Sequence, residues 1–295
     1  MKQIALIILF GCSAYVCAES RIYYLNPAFN GMDRAEFVSV DDEFGQTLKG
    51  GLKNESGEQY RIPDICEPEG GDAELSDAYT VKGKNKYFLF ICAWPVQHSG
   101  VGLNGIQYET FVYAGKNLAS IVKNKPLSQA LSGYEGSLEG GGSSYAWYVQ
   151  RIIASEKILE LEAGMSTDSL ILAHGIVLTR LKNGDYDAIK SYLSAERIRQ
   201  LSLVFPISKS TIVAYNDFGY ALGLSGEKSL AYEVLSKVEK IDPDRVVLKL
   251  NIADVLWASD KEKSKAYYKE YIGLMKKHGK EKLIPASALD RSASN

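Results

Sequence analysis

Residues 212–243 read IVAYNDFGYALGLSGEKSLAYEVLSKVEKIDP and decide how the C-terminal half of the chain is built. Tyr215, Phe218 and Leu222 are spaced i, i+3 and i+7, which places them on one face of a helix. The polar stretch 225–227 then interrupts the pattern. A second apolar face follows at Ala231, Leu235 and Val238, before Pro243. The pattern therefore predicts two helices joined by a tight turn, that is, a helical hairpin.

The small residues and the closing proline of this hairpin resemble the signature positions of the tetratricopeptide-repeat family. Gly219 and Ala231 would let two antiparallel helices approach closely, and Pro243 would end the second helix before the next repeat. The pattern returns 34 residues later at Ile252, Ala253 and Leu256. A period of 34 residues matches the family. The resemblance covers residues 145–285 and implies an all-α array of helical hairpins, and we expect a disordered tail at 286–295.

An earlier, weaker copy of the repeat can be aligned over residues 170–193. Gly175 takes the place of Gly219, at a spacing of 44 residues instead of 34, so about ten residues would be inserted within 195–207. Because a single repeat cannot bury its apolar face, at least three stacked units are expected. A generic helical bundle is the alternative for this half of the chain.

The resemblance also implies which residues face a partner, since the first helix of each tetratricopeptide hairpin lines a groove. Carried over position by position, the groove residues of the best-matched hairpin are Val213, Asn216, Tyr220 and Leu224. Those of the following unit are Val247, Leu250, Asp254 and Trp257, and those of the earlier copy are Leu172, Ile176 and Arg180. Partner contacts are accordingly predicted at Arg180, Asn216, Tyr220, Asp254 and Trp257. The alternative is that these side chains belong to the core.

The N-terminal half shows the patterns of strands. Residues 86–94, KYFLFICAW, are mostly aromatic and β-branched and stop at Pro95, which indicates a strand buried on both faces. Asn104-Gly105 is typical of a tight hairpin turn, and residues 106–113 would pair back as an antiparallel neighbour. Shorter elements are expected as strands at 35–40 and 78–81 and as a helix at 118–131.

Glycine and serine dominate residues 132–144, SGYEGSLEGGGSS, where no apolar periodicity survives. Such a composition predicts a flexible linker. A phosphate-binding loop is not indicated, because the lysine of the Gly-x-x-x-x-Gly-Lys pattern is missing. The predicted fold class is therefore α+β, with a small antiparallel β-rich domain at 19–131 and an all-α, tetratricopeptide-like array of helical hairpins at 145–285.

The first 18 residues have the order of a secretory signal peptide, with Lys2, an apolar run at 4–10 and small residues up to Ala18. The apolar run is shorter than the roughly 20 residues that a membrane-spanning helix needs. Cleavage after Ala18 would place the mature protein in the periplasm or in the medium. The alternative is a lipid anchor at Cys12, because residues 9–12, LFGC, look like a bacterial lipobox.

The four cysteines help to decide between cleavage after Ala18 and a lipid anchor at Cys12. Cleavage after Ala18 leaves Cys66 and Cys92, an even number suited to one disulfide in an oxidising compartment. Cleavage before Cys12 would leave Cys17 as an odd thiol. The alternative to the disulfide is a pair of buried free cysteines.

Charge and motifs weigh against several classes of function. Without Lys2 the chain carries 33 basic and 36 acidic side chains and no basic run, which gives no footprint for nucleic acid or anionic membrane. The motifs His-Glu-x-x-His, Gly-x-Ser-x-Gly and Cys-x-x-Cys are missing. His98 lies beside Ser99 and near Glu109, but adjacent side chains on an extended segment point to opposite faces. We therefore expect neither catalysis nor a cofactor or metal.

These expectations favour an exported, non-catalytic scaffold or adaptor that binds a protein or peptide partner through a tetratricopeptide-like groove. A second hypothesis is a periplasmic immunity protein that neutralises a delivered toxin, such as a type VI secretion effector. A third is a hydrolase with a site around His98 in the β-rich domain. No residue of the sequence decides among the three.

Overall fold

The computed structural model describes residues 20–42, 45–68 and 71–294. Within these residues, antiparallel sheets occupy the N-terminal half and helices the C-terminal half, so the predicted α+β class is confirmed. The chain divides into two compact units, with the boundary after Arg151. The predicted signal peptide and the alternative lipid anchor at Cys12 lie outside the described residues.

Antiparallel strands build the first unit. They are β1 (Ser20–Phe29), β2 (Met32–Asp42), β3 (Gly45–Lys53), β4 (Gln59–Arg61), β5 (Glu74–Lys82), β6 (Lys86–His98), β7 (Leu103–Ala114), β8 (Val122–Lys123), β9 (Gly133–Ser137) and β10 (Ser143–Ser144). One sheet has the order β1-β2-β3-β4, and the other has the order β10-β9-β7-β6-β5 with β8 paired to β7. A short helix, α1 (Lys125–Leu131), packs on β7.

Aromatic side chains form the core between these sheets. Alternation along β6 places Phe88, Phe90 and Cys92 on one face, where they join Phe37 of β2 and Phe111 of β7 in a single buried cluster. The ring centroids of Phe37 and Phe90 are 5.3 Å apart, and those of Phe90 and Phe111 are stacked at 4.6 Å. Pairs of this kind contribute about 0.5–1.5 kcal/mol each beyond the burial of their area.

The predicted disulfide between Cys66 and Cys92 is present, with the two Cα atoms 5.6 Å apart. Cys66 exchanges two backbone hydrogen bonds of 3.0 Å with Leu48 of β3, whereas Cys92 lies in the middle of β6. The bond therefore ties the first sheet to the second through their common core.

The turn predicted at Asn104-Gly105 is wrong, because both residues lie inside β7 and pair with Gln97 and Val96. The chain reverses instead at Ser99–Val101, where Gly102 adopts a φ of 76°. Gly105 is needed for a different reason, since a Cβ atom there would collide with the backbone of Glu135 on β9. The strand predicted to stop at Pro95 also continues past it. Proline is tolerated at this point because β5 pairs with β6 only as far as Ala93.

The flexible linker predicted at 132–144 is also wrong, since β9 pairs with β7 and β10 pairs back with β9. Between them Gly140, Gly141 and Gly142 have φ values of 78°, 101° and 85°. Three consecutive residues with positive φ favour glycine because it lacks a Cβ atom. The glycine run thus reflects a tight turn at the edge of a sheet.

Helices build the second unit and begin at its boundary. They are α2 (Arg151–Glu162), α3 (Leu170–Lys182), α4 (Tyr186–Tyr192), α5 (Ala195–Val204), α6 (Ile212–Leu224), α7 (Lys228–Ile241), α8 (Val246–Leu256), α9 (Lys261–Lys277) and α10 (Ala286–Ala293). The predicted hairpin corresponds to α6 and α7, and the predicted insertion at 195–207 contains α5. None of the described helices combines the length and the apolar character needed to cross a bilayer.

The disordered tail predicted at 286–295 is wrong for all but its last residue, which lies outside the described part of the chain. Residues 286–293 form α10, whose Ala288 is fully buried in a cluster with Tyr268 and Tyr271 of α9. Pro285 precedes the first turn and Arg291 bonds to Asp254 of α8. Burial of Ala288 together with this charged contact gives the short helix the tertiary support that it lacks in isolation.

Two helical glycines provide a matched test of the packing between α6 and α7. A Cβ atom on Gly219 would lie 2.5 Å from the buried Leu235, whereas one on Gly273 of α9 meets nothing within 4 Å. Replacing Gly219 by Ala should lower the free energy of unfolding by about 1–3 kcal/mol. Replacing Gly273 by Ala should raise it by about 0.5–1 kcal/mol through helix propensity. Denaturant unfolding measures both, and equal effects of the two substitutions would contradict the close packing.

The disulfide closes a loop across a sequence separation of 26 residues. Replacing both Cys66 and Cys92 by Ala should lower the free energy of unfolding by about 3 kcal/mol, because the unfolded chain regains the entropy of the open loop. Urea unfolding of the double variant, beside the wild type with and without reductant, measures this change. A denaturation midpoint equal to that of the oxidised wild type would count against a stabilising role for the disulfide.

Candidate functional site

Helix α6 exposes a single stripe of side chains. Val213, Asp217, Tyr220 and Leu224 are spaced i, i+4, i+7 and i+11, and they are the residues of α6 that are not buried. The other faces contact α3, α4, α7 and α8. A helix enclosed in this way presents its one open stripe in a fixed orientation.

Helix α8 continues this surface beside α6. Val247, Leu250 and Asp254, which are not buried, lie along one line of the helix that continues to Trp257, just past its end. The side chain of Asn251 donates a hydrogen bond of 3.3 Å to Asn216 on α6, and both residues are buried. This bond fixes the two helices with their open stripes side by side.

Helix α3 lies on the other flank of α6. His174 Nε2 is 2.9 Å from Asp217 Oδ2, and its ring contacts Phe218 edge to face. Ile171 and Leu178 lie on the same side of α3 and are 74% and 42% exposed. We call the joint surface the α3–α6–α8 face and define it by its exposed apolar residues, Ile171, Leu178, Val213, Tyr220, Leu224 and Val247.

The structure separates the predicted contact residues into two groups. Tyr220 is 38% exposed and lies on the α3–α6–α8 face, together with Val213, Leu224 and Val247 from the same alignment. Asn216, in contrast, is only 2% exposed, because its amide is used between the helices and in a bond to Asp217. Asn216 is thus a packing residue, and its prediction as a surface contact is wrong.

The positions carried over to the earlier copy are also wrong. Leu172 and Ile176 are core residues, and Arg180 is buried and pairs with Asp185 at 2.8 Å, at the start of α4. The alignment failed because Gly175 faces Ile153 of α2 and is therefore not the counterpart of Gly219. The exposed positions of α3 are Ile171 and Leu178, with His174 half-buried between them. The spacing of Ile171, His174 and Leu178 was the signal that could have identified them.

The predicted residues at the end of α8 are engaged by later helices. Asp254 accepts hydrogen bonds from Tyr268 of α9 at 2.5 Å and from Arg291 of α10 at 2.9 Å. Burial, followed by the bond to this carboxylate, raises the pKa of Tyr268 to about 12, so its hydroxyl stays protonated and donates. The guanidinium of Arg291 lies 5.1 Å from the centre of the Trp257 ring. Asp254 and Trp257 therefore form a packed border of the face.

The carboxylate of Asp217, which lies 2.9 Å from His174, stands on the α3–α6–α8 face. Burial acts to raise the pKa of Asp217, but hydrogen bonds from His174 and Asn216 lower it by more, so the pKa lies below its ordinary value. The carboxylate is therefore ionised in ordinary buffers, and it carries the one negative charge among the residues of the α6 stripe.

The arrangement suggestive of catalysis in the first unit does not assemble. His98 pairs with Leu103, whereas Glu109 pairs with Cys92, which lies six positions before His98 on β6. Six residues of a strand span about 20 Å, far beyond hydrogen-bond reach. The structure thus places His98 and Glu109 at separate points of the sheet.

The lowered pKa of Asp217 predicts how stability depends on pH. The ionised carboxylate stabilises the fold above the ordinary value of 3.8, and this contribution is lost as the pH falls through the lower pKa of the folded state. Replacing Asp217 by Asn should therefore cost about 1 kcal/mol at neutral pH and less below about pH 4. Thermal or urea unfolding across pH 2–7 measures this. The control is Asp290→Asn on the exposed side of α10, and a deficit that does not change with pH would refute the charged bond.

Comparison with known proteins assigns no family to this arrangement. No family model matches the chain, and no match is found among curated proteins. The site rests on the geometry of the described residues.

Proposed function

We propose that this chain is an exported, non-catalytic protein-binding protein, and that its α3–α6–α8 face receives an apolar segment of a protein partner. The observation that carries the proposal is the enclosure of α6, which is buried on every side except the stripe with Val213, Tyr220 and Leu224. A helix held by α3, α4, α7 and α8 offers these side chains without further ordering. Preorganisation of this kind lowers the entropic cost of binding.

The composition of the face supports a protein partner. Exposed apolar side chains that stand singly are ordinary, whereas those that come together from neighbouring elements mark interaction sites. Here Ile171, Leu224 and Val247 come from three neighbouring helices, and Tyr220 stands among them. Tyrosine is enriched among the residues that dominate binding energies, because its ring buries a large area and its hydroxyl can still bond.

The size of the face suggests the form of the partner segment. Packed helices lie about 8–10 Å apart, so three adjacent helices present a surface roughly 20 Å across. A partner helix rises about 1.5 Å per residue, and roughly 13 of its residues would cross this distance. An amphipathic helix with apolar anchors at i, i+3 or i+4 and i+7 has the matching pattern. A basic side chain beside these anchors would complement the carboxylate of Asp217.

The tetratricopeptide likeness belongs to the same proposal. In its favour, Gly219 packs against Leu235 of the following helix, as a small signature residue should. The exposed Val213 and Val247 also recur at a spacing of 34 residues on successive first helices. Export is supported by the disulfide between Cys66 and Cys92, because such bonds persist in oxidising compartments.

Alanine variants on the face test the proposal. Replacing Tyr220 and Leu224 together should weaken the partner by about 2 kcal/mol or more, which is roughly a 30-fold rise in Kd. The partner is first captured by cross-linking to the mature wild-type protein in its native envelope, and its affinity for each variant is then measured by calorimetry. Replacing Leu203 on α5, which is 68% exposed, provides the matched control. An unchanged Kd for the double variant, or an equal loss with Leu203→Ala, would refute this use of the face.

A further inference from the structure

A polar cleft of about 500 Å³ lies in the first unit, separate from the α3–α6–α8 face. One wall comes from β6 and β7, through Trp94, Gln107 and Glu109, and the other from β8 and α1, through Lys123, Lys125 and Gln129. Small-molecule sites in proteins commonly have volumes of about 300–1,000 Å³. The cleft therefore has room for a compact ligand, and the proposed function makes no use of it.

Three hydroxyl groups at the base of the cleft hold its walls together. Ser128 of α1 accepts a hydrogen bond of 3.0 Å from the backbone N–H of Val112, and Ser132 accepts one of 2.9 Å from that of Thr110. The hydroxyl of Thr110 in turn donates to the carbonyl of Leu131 at 3.1 Å. Helix α1 is therefore fixed on β7, and the shape of the cleft is set before any ligand enters.

Two side chains at the mouth of the cleft, unlike the hydroxyls at its base, are not bonded within the residues that the structure describes. Lys125 and Gln129 are both exposed and stand one turn apart on α1, and neither side chain bonds to another residue in the described part of the chain. Lys123 is partly neutralised, because its ammonium is 3.1 Å from Asp64 and lies over the ring of Phe111. Lys125 is therefore the cation that remains for a ligand.

The wall formed by β6 and β7 adds an amide, a carboxylate and an aromatic side chain. Gln107 and Glu109 are alternate residues of β7 and point to the same face of the sheet, so an amide and a carboxylate stand side by side. Trp94 pairs with Gln107 across the strands, but it is buried in the core and only an edge of its ring reaches the cleft. A single cleft thus offers hydrogen-bond donors, acceptors, one cation and part of an aromatic ring.

We propose that this cleft binds a saccharide that carries a carboxylate, of the uronic acid type. Hydroxyl groups both donate and accept hydrogen bonds, which suits a wall of amides and a carboxylate better than an apolar ligand or a simple anion would. The hydroxyls of the sugar bond to Gln107, Glu109 and Gln129, and its carboxylate faces Lys125.

A ligand-observed NMR titration of the mature, oxidised protein tests the class of ligand. Glucuronate is the probe, glucose supplies the ring without the charge, and acetate supplies the charge without the ring. We expect saturable binding of glucuronate at least about tenfold tighter than that of either control. Only glucuronate carries both the ring hydroxyls that bond to the amides and the carboxylate that faces Lys125. No saturation by glucuronate, or equal binding of glucose or acetate, overturns the proposal.

Two exposed substitutions locate the binding. Lys125→Glu should weaken glucuronate at least about tenfold, and Gln129→Ala should weaken it severalfold, because each removes a group that faces the ligand. Lys82→Glu, a charge reversal at an exposed position of β5, should leave the Kd unchanged. Thermal unfolding of each variant verifies that the fold is kept. An affinity that survives Lys125→Glu in a folded protein, or that falls equally with Lys82→Glu, overturns the assignment of the cleft.

Discussion

The second unit depends on the close approach of α6 and α7, where Gly219 leaves the space that Leu235 fills. Any side chain at this position would push the two helices apart and open α6 on the side that is now packed. Because α3 and α8 enclose the remaining flanks, α6 has one accessible stripe, and its residues owe their orientation to that packing. The proposed partner-binding face is thus a consequence of core packing.

Polar contacts then determine which residues stand on the face. The bond between Asn251 and Asn216 sets how α8 is placed against α6, and the pair of His174 and Asp217 does the same for α3. A buried polar side chain without a partner is costly, so such bonds disfavour alternative placements of the helices. Among the earlier helices of the unit, the buried carboxylate of Asp168 accepts hydrogen bonds from Tyr192 of α4 and from Lys157 of α2. These two bonds join α2 to α4. The apolar core supplies most of the stability, and these bonds select one arrangement.

Sequence reasoning succeeded where local periodicity and burial agree, and it failed where glycine had more than one explanation. The hairpin at 212–243 was predictable because its apolar spacing and its breaks coincide with α6 and α7. The glycine run at 140–142 looked like a linker, although positive φ values in a hairpin turn require the same composition. Gly175 resembled Gly219, but which neighbour a glycine touches is a tertiary property that spacing does not encode. Arg180 was assigned to the surface for the same reason, because its position was carried over from the alignment of Gly175. The cleft beside α1 had no sequence signal, since its residues come from four separate elements.

The bond between Cys66 and Cys92 also affects what happens when the chain is cut. A protease that cleaves a single peptide bond anywhere between these two cysteines produces fragments that remain covalently joined. The nicked molecule would migrate as one species on a gel until a reductant is added. In an oxidising compartment, where such bonds persist, the link would hold the two fragments together after a break in the backbone.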